Sequence, residues 1–462
     1  MKTKDPGLQH PSFAGRIGVA REDITPPAAI YLGNWGAAIA ESAIGIHRPL
    51  LLTCITFHSS EKGEPLVLIS ADLGWWKNLE DERFVRNGIL KTLSLAPEQL
   101  MFCLSHTHAG PGLCRHDASK PGGELIEQYL HDIMQAAIRA ARTSLSQAVP
   151  ATLSWHYGKC SLAANRDLPY NNGGDRFAVG FNPNQHADDT LLVGRITDKQ
   201  GKPIAAIVNY ACHPTTLGWD NLLISPDYIG AMRETIEPVI HAPCLFLQGA
   251  SGELAPAEQY TGDVSIADKH GRQLGYAVLS VLESMLPANN DLLFKDFIES
   301  GASLAVWERS ESYPADNMIA KMITVQLPLK ELISFSTIEK QWGECTDPVL
   351  KERLWRKLNV RKAVGDEQDA AIPLWIWRLG DALLIGQPNE AYSLFQTELR
   401  KAFPGNAVAL MNVVNGHIGY LPPAPFYDKD MYAVWQTPFA KGSLEKLIGV
   451  SIDVSQQLLN EK

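Results

Sequence analysis

The sequence lacks the patterns that mark disulfide-stabilised, membrane-spanning or nucleic-acid-binding proteins. Its seven cysteines include no C-x-x-C pair and lie mostly in apolar segments, which indicates reduced core residues rather than a disulfide framework or a cysteine zinc knuckle. No apolar run is long enough to cross a bilayer, and the polar residues 1–16 do not resemble a signal peptide. The net charge of -10, with no compensating cluster of Lys and Arg, argues against a nucleic-acid partner. These absences predict a soluble cytoplasmic protein with no integral membrane segment.

The remaining composition is that of a globular protein. Of 462 residues, 45% are apolar and 20% charged, and the length suits two or three ordinary domains or one large one. Short β-rich runs alternate with amphipathic helical segments, which favours an α/β layered core with a parallel or mixed sheet. Strands are predicted at 50–57, 66–70, 100–104, 152–156, 191–196, 204–210, 244–247, 319–327, 371–378, 383–385 and 407–413. Helices are predicted at 80–93, 124–145, 228–236, 265–286, 329–342, 348–364, 390–401 and 441–459. The polar bend at 287–291 is the main internal boundary, and we expect residues 1–462 to pack as one catalytic unit.

Residues 105–112, SHTHAGPG, form the most informative segment. They follow an apolar run that predicts a buried strand and they break into a Gly/Pro turn. In an extended chain His106 and His108 point the same way, so both imidazoles can address one point in a cleft. The pair therefore suits a metal ligand and its neighbour. The alternative is a pair of turn histidines that bind backbone groups.

Similar polar motifs follow other predicted strands, where α/β enzymes place their chemistry. His213 precedes a proline, which predicts a sharp exit from its strand. The glycines of residues 248–256 allow backbone N–H groups to face a cleft, which suits an oxyanion or anion nest. Glu390 is predicted in the first turn of a helix, where it either ligates a metal or complements the helix dipole. Together, histidines at two strand ends and a carboxylate at a third supply the nitrogen and oxygen ligands that zinc prefers.

In this order along the chain, the motifs resemble the catalytic domain of the neutral (non-lysosomal) ceramidases, zinc amidases that hydrolyse N-acyl sphingosines. The matching segments are residues 18–26, 45–48, 106–112, 164–166, 213–216, 252–256, 388–390 and 419–420, with Tyr427 and Tyr432 at a similar spacing. The resemblance implies the ceramidase fold, a mixed-sheet α/β catalytic domain. It implies four zinc ligands: His106, His213, Glu390 and Tyr420. It implies three catalytic residues: His108 and Arg166, which line the metal pocket and hold the substrate carbonyl or the oxyanion, and Tyr432, which either supports a metal ligand or donates to the oxyanion. Tyrosine is an unusual zinc ligand, and the alternative for Tyr420 is an aromatic packed in a Gly/Pro loop.

The sequence departs from the ceramidases at one position that matters for mechanism. Ala255 stands where ceramidases carry an active-site serine, and the nearby Ser251 is out of register. A hydroxyl-dependent mechanism is therefore not expected, whereas zinc-activated water remains a suitable nucleophile. Glu253 is either a compensating base or a cap for the following turn.

The chain also shows neither the ceramidases' targeting segment nor their C-terminal immunoglobulin-like domain, and we expect a substrate smaller and more soluble than a two-chain lipid. Three further residues suggest how it is bound. Trp75 and Trp219 follow predicted strands and either contact the substrate or pack in the core. Asp72 either orients a ligand histidine or caps a turn.

These observations predict a zinc-dependent hydrolase that cleaves an amide bond of a small soluble molecule. Three alternatives remain. The first is a true ceramidase or N-acyl lipid amidase, and the second is a metal-dependent esterase or sugar-directed hydrolase. The third is an inactive homologue that binds ligand, for which Ala255 is the main argument. The sequence indicates no oligomeric state.

Overall fold

Apolar strands form the middle of the molecule, and amphipathic helices cover both outer surfaces. A computed structural model describes residues 7–38, 40–59, 63–170 and 175–461; the first six residues of the polar N-terminal stretch therefore lie outside the described part. The strands are β1 Gly7–Leu8, β2 Ser12–Asp23, β3 Gly45–Ile46, β4 Leu51–His58, β5 Leu66–Ala71, β6 Leu100–Leu104, β7 Val149–Lys159, β8 Ala163–Asn165, β9 Asp167–Pro169, β10 Phe177–Val179, β11 Thr190–Asp198, β12 Pro203–Tyr210, β13 Leu223–Ile224, β14 Cys244–Gln248, β15 Leu254–Pro256, β16 Asn290–Glu299, β17 Ser303–Glu311, β18 Met318–Pro328, β19 Asp369–Leu379, β20 Ala382–Gly386, β21 Glu390–Ala391, β22 Ala407–Met411 and β23 Tyr420–Leu421. The helices are α1 Leu79–Leu93, α2 Ile126–Ser146, α3 Tyr228–Ile240, α4 Val264–Ser284, α5 Phe335–Glu344, α6 Pro348–Val364, α7 Leu394–Ala402, α8 Tyr432–Gln436 and α9 Ser443–Asn460.

Two mixed sheets stack face to face. The larger has the order β14-β12-β11-β7-β2-β4-β5-β6, and the smaller has the order β18-β19-β20-β22. Most neighbours are antiparallel, but three pairs are parallel: β5 with β6, β12 with β14, and β20 with β22. Apolar side chains from both sheets, such as Phe13, Trp155 and Trp377, fill the layer between them. The predicted mixed-sheet α/β layers are confirmed.

Helices cover the outer faces. One apolar cluster joins the larger sheet to α1 and α2, and another joins it to α3 and α4. A third cluster joins the smaller sheet to α7 and α9. The resulting order of layers is helices, eight strands, four strands, helices. No helix in the described part of the chain has the length and apolarity needed to cross a membrane.

Helices α5 and α6 lie in the connection between two neighbouring strands. β18 and β19 pair along their whole length, from Met318 opposite Leu379 to Pro328 opposite Asp369. The helices therefore lie in an insertion that leaves and re-enters the sheet at adjacent positions. This geometry leaves α5 and α6 outside the two-sheet core and places them beside the candidate site.

Candidate functional site

The parallel strand pairs lead into the loops that carry the predicted site residues. His106 follows β6 and His213 follows β12, both in the larger sheet. Glu390 follows β20 and Tyr420 follows β22 in the smaller sheet. The parallel pair β20 and β22 ends at one sheet edge, so the loops that follow carry Glu390 and Tyr420 to the same place. In the larger sheet β14, the neighbour of β12, packs against β5 through a hydrogen bond from Ser70 to Phe246, and this brings His213 to His106. The structure brings these four predicted metal ligands to one site.

A left-handed backbone directs His106 into the site. Its φ of 69° breaks the extended path of β6, so the expectation that the chain is extended across residues 106–108 is wrong. The His106 Nδ1 atom lies 3.1 Å from the carbonyl oxygen of Gly74. Since a carbonyl only accepts, Nδ1 carries a hydrogen, and Nε2 is the nitrogen that faces the site. The convergence of the imidazoles results from a turn rather than from strand geometry.

Two backbone carbonyls fix His213 in the same tautomer. Its Nδ1 atom lies 2.7 Å from the oxygen of Ser251 and 3.1 Å from that of Leu254, so Nδ1 is again the protonated nitrogen. Burial and, to a lesser extent, the nearby Arg166 cation together lower the pKa of His213 to about 3. His213 is therefore a neutral imidazole whose Nε2 atom carries a lone pair.

Glu390 lies at the centre of the histidines. It belongs to β21 and pairs with Tyr420 in β23, so its predicted place in a first helical turn is wrong; the helix begins four residues later, at Leu394. One carboxylate oxygen, Oε2, is 2.9 Å from Nε2 of His213 and 3.4 Å from Nε2 of His106. Burial alone would raise the pKa of Glu390, but the surrounding imidazoles outweigh it and hold the pKa well below its ordinary value.

A third imidazole contacts the carboxylate and was not predicted. Nε2 of His417 lies 2.8 Å from the other oxygen, Oε1, of Glu390. His417 lies three residues before Tyr420, but nothing in the local sequence gives a reason to prefer it over its neighbours. It is 27 residues from Glu390 in the chain, and the β21–β23 pair brings the two side chains together.

Three ligand-type atoms converge at one point. Nε2 of His213 lies 2.9 Å from Oε2 of Glu390, and Nε2 of His106 lies 3.4 Å from the same oxygen without making a hydrogen bond. A nitrogen and a carboxylate oxygen this close are held together by a proton or by a metal cation between them. The donor set of imidazole nitrogens and a carboxylate is the one that divalent transition metals select.

His108 completes a cluster of three imidazoles. Ligand atoms of His106, His108 and His213 lie within 4.8 Å of one another. Neither ring nitrogen of His108 has a hydrogen-bond partner among the described residues. The ring packs between two tryptophans, with centroids 5.0 Å from Trp35 and 4.8 Å from Trp75. His108 is thus held by ring packing and keeps both nitrogens available.

Arg166 and two tyrosines form the opposite wall. Arg166 donates to the carbonyl oxygen of Gly252 at 2.7 Å and to the hydroxyl of Tyr420 at 3.0 Å. The ring of Tyr432 meets that of Tyr420 edge-on, 5.5 Å away. Burial alone would lower the pKa of Arg166, but Tyr420 and Glu390 raise it more, so the side chain stays cationic. A fixed cation therefore lies beside the predicted ligands.

The glycine-containing loop before β15 does not form the predicted anion nest. The amide of Gly252 donates to Ala391, that of Gly249 donates to Tyr210, and that of Leu254 donates to Ser251. Backbone amides already used in this way have no hydrogen to offer a substrate oxygen. The loop acts through its carbonyl groups instead, which position His213 and Arg166. Ala255 is fully buried in β15 opposite Ala164.

Glu253 faces away from the imidazoles. Its carboxylate accepts from the backbone amide of Ser393 at 2.9 Å and from the Ser393 hydroxyl, the interaction expected of a turn cap. It is not among the residues that line the cleft described below. Burial raises the pKa of Glu253 to about 7, although the hydrogen bonds from Ser393 lower it in part.

We expect Glu253→Gln to flatten the pH dependence of stability. Between an ordinary pKa of 4.5 and a folded-state pKa of about 7, the folded protein binds more protons than the unfolded chain. The free energy of unfolding therefore falls as pH rises through this window. At pH 8 the variant should be more stable than the parent by about 1–3 kcal/mol. Denaturant titrations at pH 5 and pH 8 measure this, with the exposed Glu258→Gln as control; parallel curves for parent and E253Q would refute it.

Asp72 and Trp219 lie beside the site rather than in the cleft. Asp72 forms a buried ion pair with Arg233 and accepts from the amide of Leu51 at 2.8 Å. It therefore does not orient a ligand histidine, since backbone carbonyls hold the Nδ1 atoms of His106 and His213. Trp219 stacks on Tyr260 with 5.7 Å between ring centroids. Trp35 separates Trp219 from His108 and contacts both of their rings as well as the ring of Tyr260.

A cleft of about 650 Å³, its mouth included, opens onto the imidazoles. His106, His108, Glu390, Tyr420 and Tyr432 line its floor together with Trp75 and His417. Helix α6 forms the facing wall through Trp355, Arg356, Asn359, Val360 and Ala363. Sequence reasoning missed the α6 residues because nothing in their local pattern indicates what they face.

A second group of metal-type donors lies elsewhere in the described residues. Asp81, Cys114 and His116 offer ligand atoms within 4.8 Å of one another. Asp81 is already bound by the guanidinium and backbone amide of Arg115 and by Asn78. Burial raises the pKa of the Cys114 thiol to about 11, so the thiolate that binds metal is disfavoured. The imidazole cluster is the stronger metal site.

Comparison with known proteins gives a consistent result. A family profile described as neutral/alkaline non-lysosomal ceramidase, N-terminal, matches residues 16–264. The neutral ceramidase of Pseudomonas aeruginosa superposes with a TM-score of 0.67 at 17% identity, covering 98% of this chain and 75% of that one. A ceramidase complexed with C2 gives a TM-score of 0.68 at 15% identity, covering 98% and 77%. No curated protein sequence matches the chain.

Proposed function

Because the chain belongs to the neutral/alkaline non-lysosomal ceramidase family, we propose that it is a metal-dependent hydrolase that cleaves an amide bond. The observation that carries this proposal is the convergence of His106, His213 and Glu390. Two imidazole nitrogens lie 3.4 and 2.9 Å from one carboxylate oxygen, and backbone carbonyls fix both rings in this orientation.

The residues present fit a divalent metal. His106, His213 and Glu390 would hold it, with Tyr420 as the fourth ligand that family resemblance implies. Both histidines donate Nδ1–H to backbone carbonyls, which is how proteins fix the tautomer of a metal-binding imidazole. Nitrogen and oxygen ligands suit zinc, which we propose as the metal, and they also suit manganese or iron.

When bound, such a cation would polarise the substrate carbonyl and lower the pKa of water. The chain's own residues supply the other roles. His108, with both ring nitrogens free of partners among the described residues, would carry a proton to the leaving nitrogen. Arg166, anchored by Gly252 and Tyr420, would stabilise negative charge on the carbonyl oxygen. Tyr432 would add a hydroxyl donor at the same wall.

We further propose a substrate smaller and more soluble than a two-chain lipid. Helix α6 closes one side of the cleft, and polar side chains such as Asn78, Asn359 and Gln436 line it beside the aromatic rings. A mixed polar and aromatic lining of this size favours a compact molecule with several hydrogen-bonding groups. A second candidate is ceramide hydrolysis, which the names of both structural relatives favour.

Metal analysis combined with an amide hydrolysis assay tests the proposal. We expect about one equivalent of metal per chain, and hydrolysis of a short N-acyl amine that stops on chelation and returns when zinc is added. Turnover of a fluorescent ceramide alone would select the second candidate. A protein that binds its metal but hydrolyses neither an amide, an ester nor ceramide would contradict the proposal and favour the ligand-binding alternative suggested by Ala255.

A further inference from the structure

Helix α6 concentrates positive charge in an otherwise acidic protein. Its 17 residues contain six Lys or Arg and one Glu, whereas the whole chain has a net charge of -10. The cations are spaced around the entire helix, so α6 lacks the broad apolar face with which surface helices insert into membranes. This concentration of charge, which composition alone does not reveal, lies directly over the candidate site.

The positive charge continues along the walls of the cleft. Two further hollows adjoin it, sharing Val360 and Gln436 on one side and Asn78 and Asn359 on the other. Together the three are lined by seven Lys or Arg but only three Glu, one of which is Glu390. A low-dielectric cleft lined by one sign of charge attracts ligands of the opposite sign.

Among the α6 cations, Arg356 alone lines the cleft that opens onto the imidazoles. Its guanidinium lies 5.7 Å from the centroid of Trp75, whose ring is 4.8 Å from that of His108. Its Nη1 atom donates to the hydroxyl of Tyr432 at 3.3 Å, a long bond that a carboxylate would improve on. Its Nε atom is 2.9 Å from Glu352, whose side chain is partly exposed. Burial alone would lower the pKa of Arg356, but Tyr432 and Glu352 raise it more.

We propose that the substrate is an amide that carries a carboxylate, and that Arg356 binds this carboxylate while the scissile carbonyl lies at the imidazole cluster. The proposal rests on the amidase function proposed above and names its substrate class. The other α6 cations at the mouth, Lys357 and Lys362, attract the anion but do not contact the reacting group.

A matched pair of probes tests the proposal. N-octanoylglycine carries a carboxylate at the position where N-octanoylethanolamine carries a hydroxymethyl group. The dissociation constant and kcat/KM of each compound are measured on the metal-loaded protein. We expect the glycine compound to bind at least about tenfold more tightly. Arg356→Gln should reduce the preference to about threefold or less, because kcat/KM falls more for the glycine compound than for the neutral one. Arg353→Gln, on the same helix but stacked on Trp435, is the control and should keep the preference.

The outcomes separate this proposal from the amidase function. Equal binding of the two compounds, with metal-dependent hydrolysis of either, overturns the carboxylate proposal and leaves the amidase. Tighter binding of the glycine compound that depends on Arg356, without hydrolysis, supports the carboxylate site and contradicts the amidase. If R356Q does not fold, the exposed double variant Lys357→Gln/Lys362→Gln should weaken the preference by about twofold or more. Cosedimentation with phosphatidylglycerol vesicles that this double variant abolishes, without a preference between the probes, would assign the helix to a membrane surface and overturn the proposal.

Discussion

Replacing His213 by alanine is expected to remove the bound metal and to lower kcat/KM by at least about 10³-fold. His213 is fully buried, and its Nε2 atom is the closest histidine nitrogen to Oε2 of Glu390, at 2.9 Å. The neighbouring imidazoles are fixed in other positions: His106 faces the same oxygen, His417 faces the other, and the ring of His108 packs between Trp35 and Trp75. Without the imidazole, the remaining donors hold the metal too weakly to survive gel filtration.

The experiment compares metal content, kcat/KM and melting temperature for the parent and two variants. His116→Ala is the matched control, since His116 is exposed and belongs to the Asp81 and Cys114 group. It should keep one metal per chain and full activity. An H213A protein that is folded and still carries one equivalent of metal would show that the ligands have been assigned wrongly, and loss of metal from H116A would move the site to the second group.

Arg166→Gln is expected to lower kcat by about 10²- to 10³-fold and to leave the metal content near one per chain. The guanidinium is held by Gly252 and Tyr420 and carries a fixed charge beside Glu390. A charge fixed before the reaction stabilises a developing oxyanion at no cost in reorganisation. Arg166→Lys keeps the charge but cannot reach both partners in the same way, so an intermediate loss of about tenfold is expected.

A buried arginine also stabilises the fold, so the control must separate stability from catalysis. Arg400 is also largely enclosed, with 11% of its side chain exposed, and pairs with Asp188 at 3.4 Å, away from the cleft. Arg400→Gln should lower the melting temperature without changing kcat. If R166Q instead loses its metal, Arg166 acts by positioning Tyr420 and does not contact the substrate.

The positions of the imidazoles were predictable because local signals coincide with the fold. Apolar runs ending at residues 104 and 210 formed strands β6 and β12, and the polar motifs that follow them lie at the site. Helix α6 was predicted at its observed bounds, 348–364. Strong periodicity and turn residues carry this information within a few residues of each position.

What could not be predicted depends on contacts between distant segments. The sequence around Glu390 favours a helix, yet pairing with Tyr420, 30 residues later, holds it in a strand. β2 carries polar residues at mostly half-buried positions and escaped detection, although it lies in the middle of the larger sheet. Arg356 has an ordinary helical sequence context, and only the packing of α6 over the cleft gives it a role. Local patterns do not encode such pairings.

The insertion that carries α5 and α6 allows the wall of the cleft to change without a change in the two sheets. It leaves β18 at Pro328 and returns at Asp369, directly opposite in the ladder, so a tight turn could in principle replace it without altering the register of the sheet. Substitutions or length changes there alter the wall that faces the ligand, while the imidazoles stay on loops anchored in the two sheets. Recognition can therefore diverge among relatives at little cost to folding, and grafting this one segment between homologues offers a direct route to exchanging their substrate preferences.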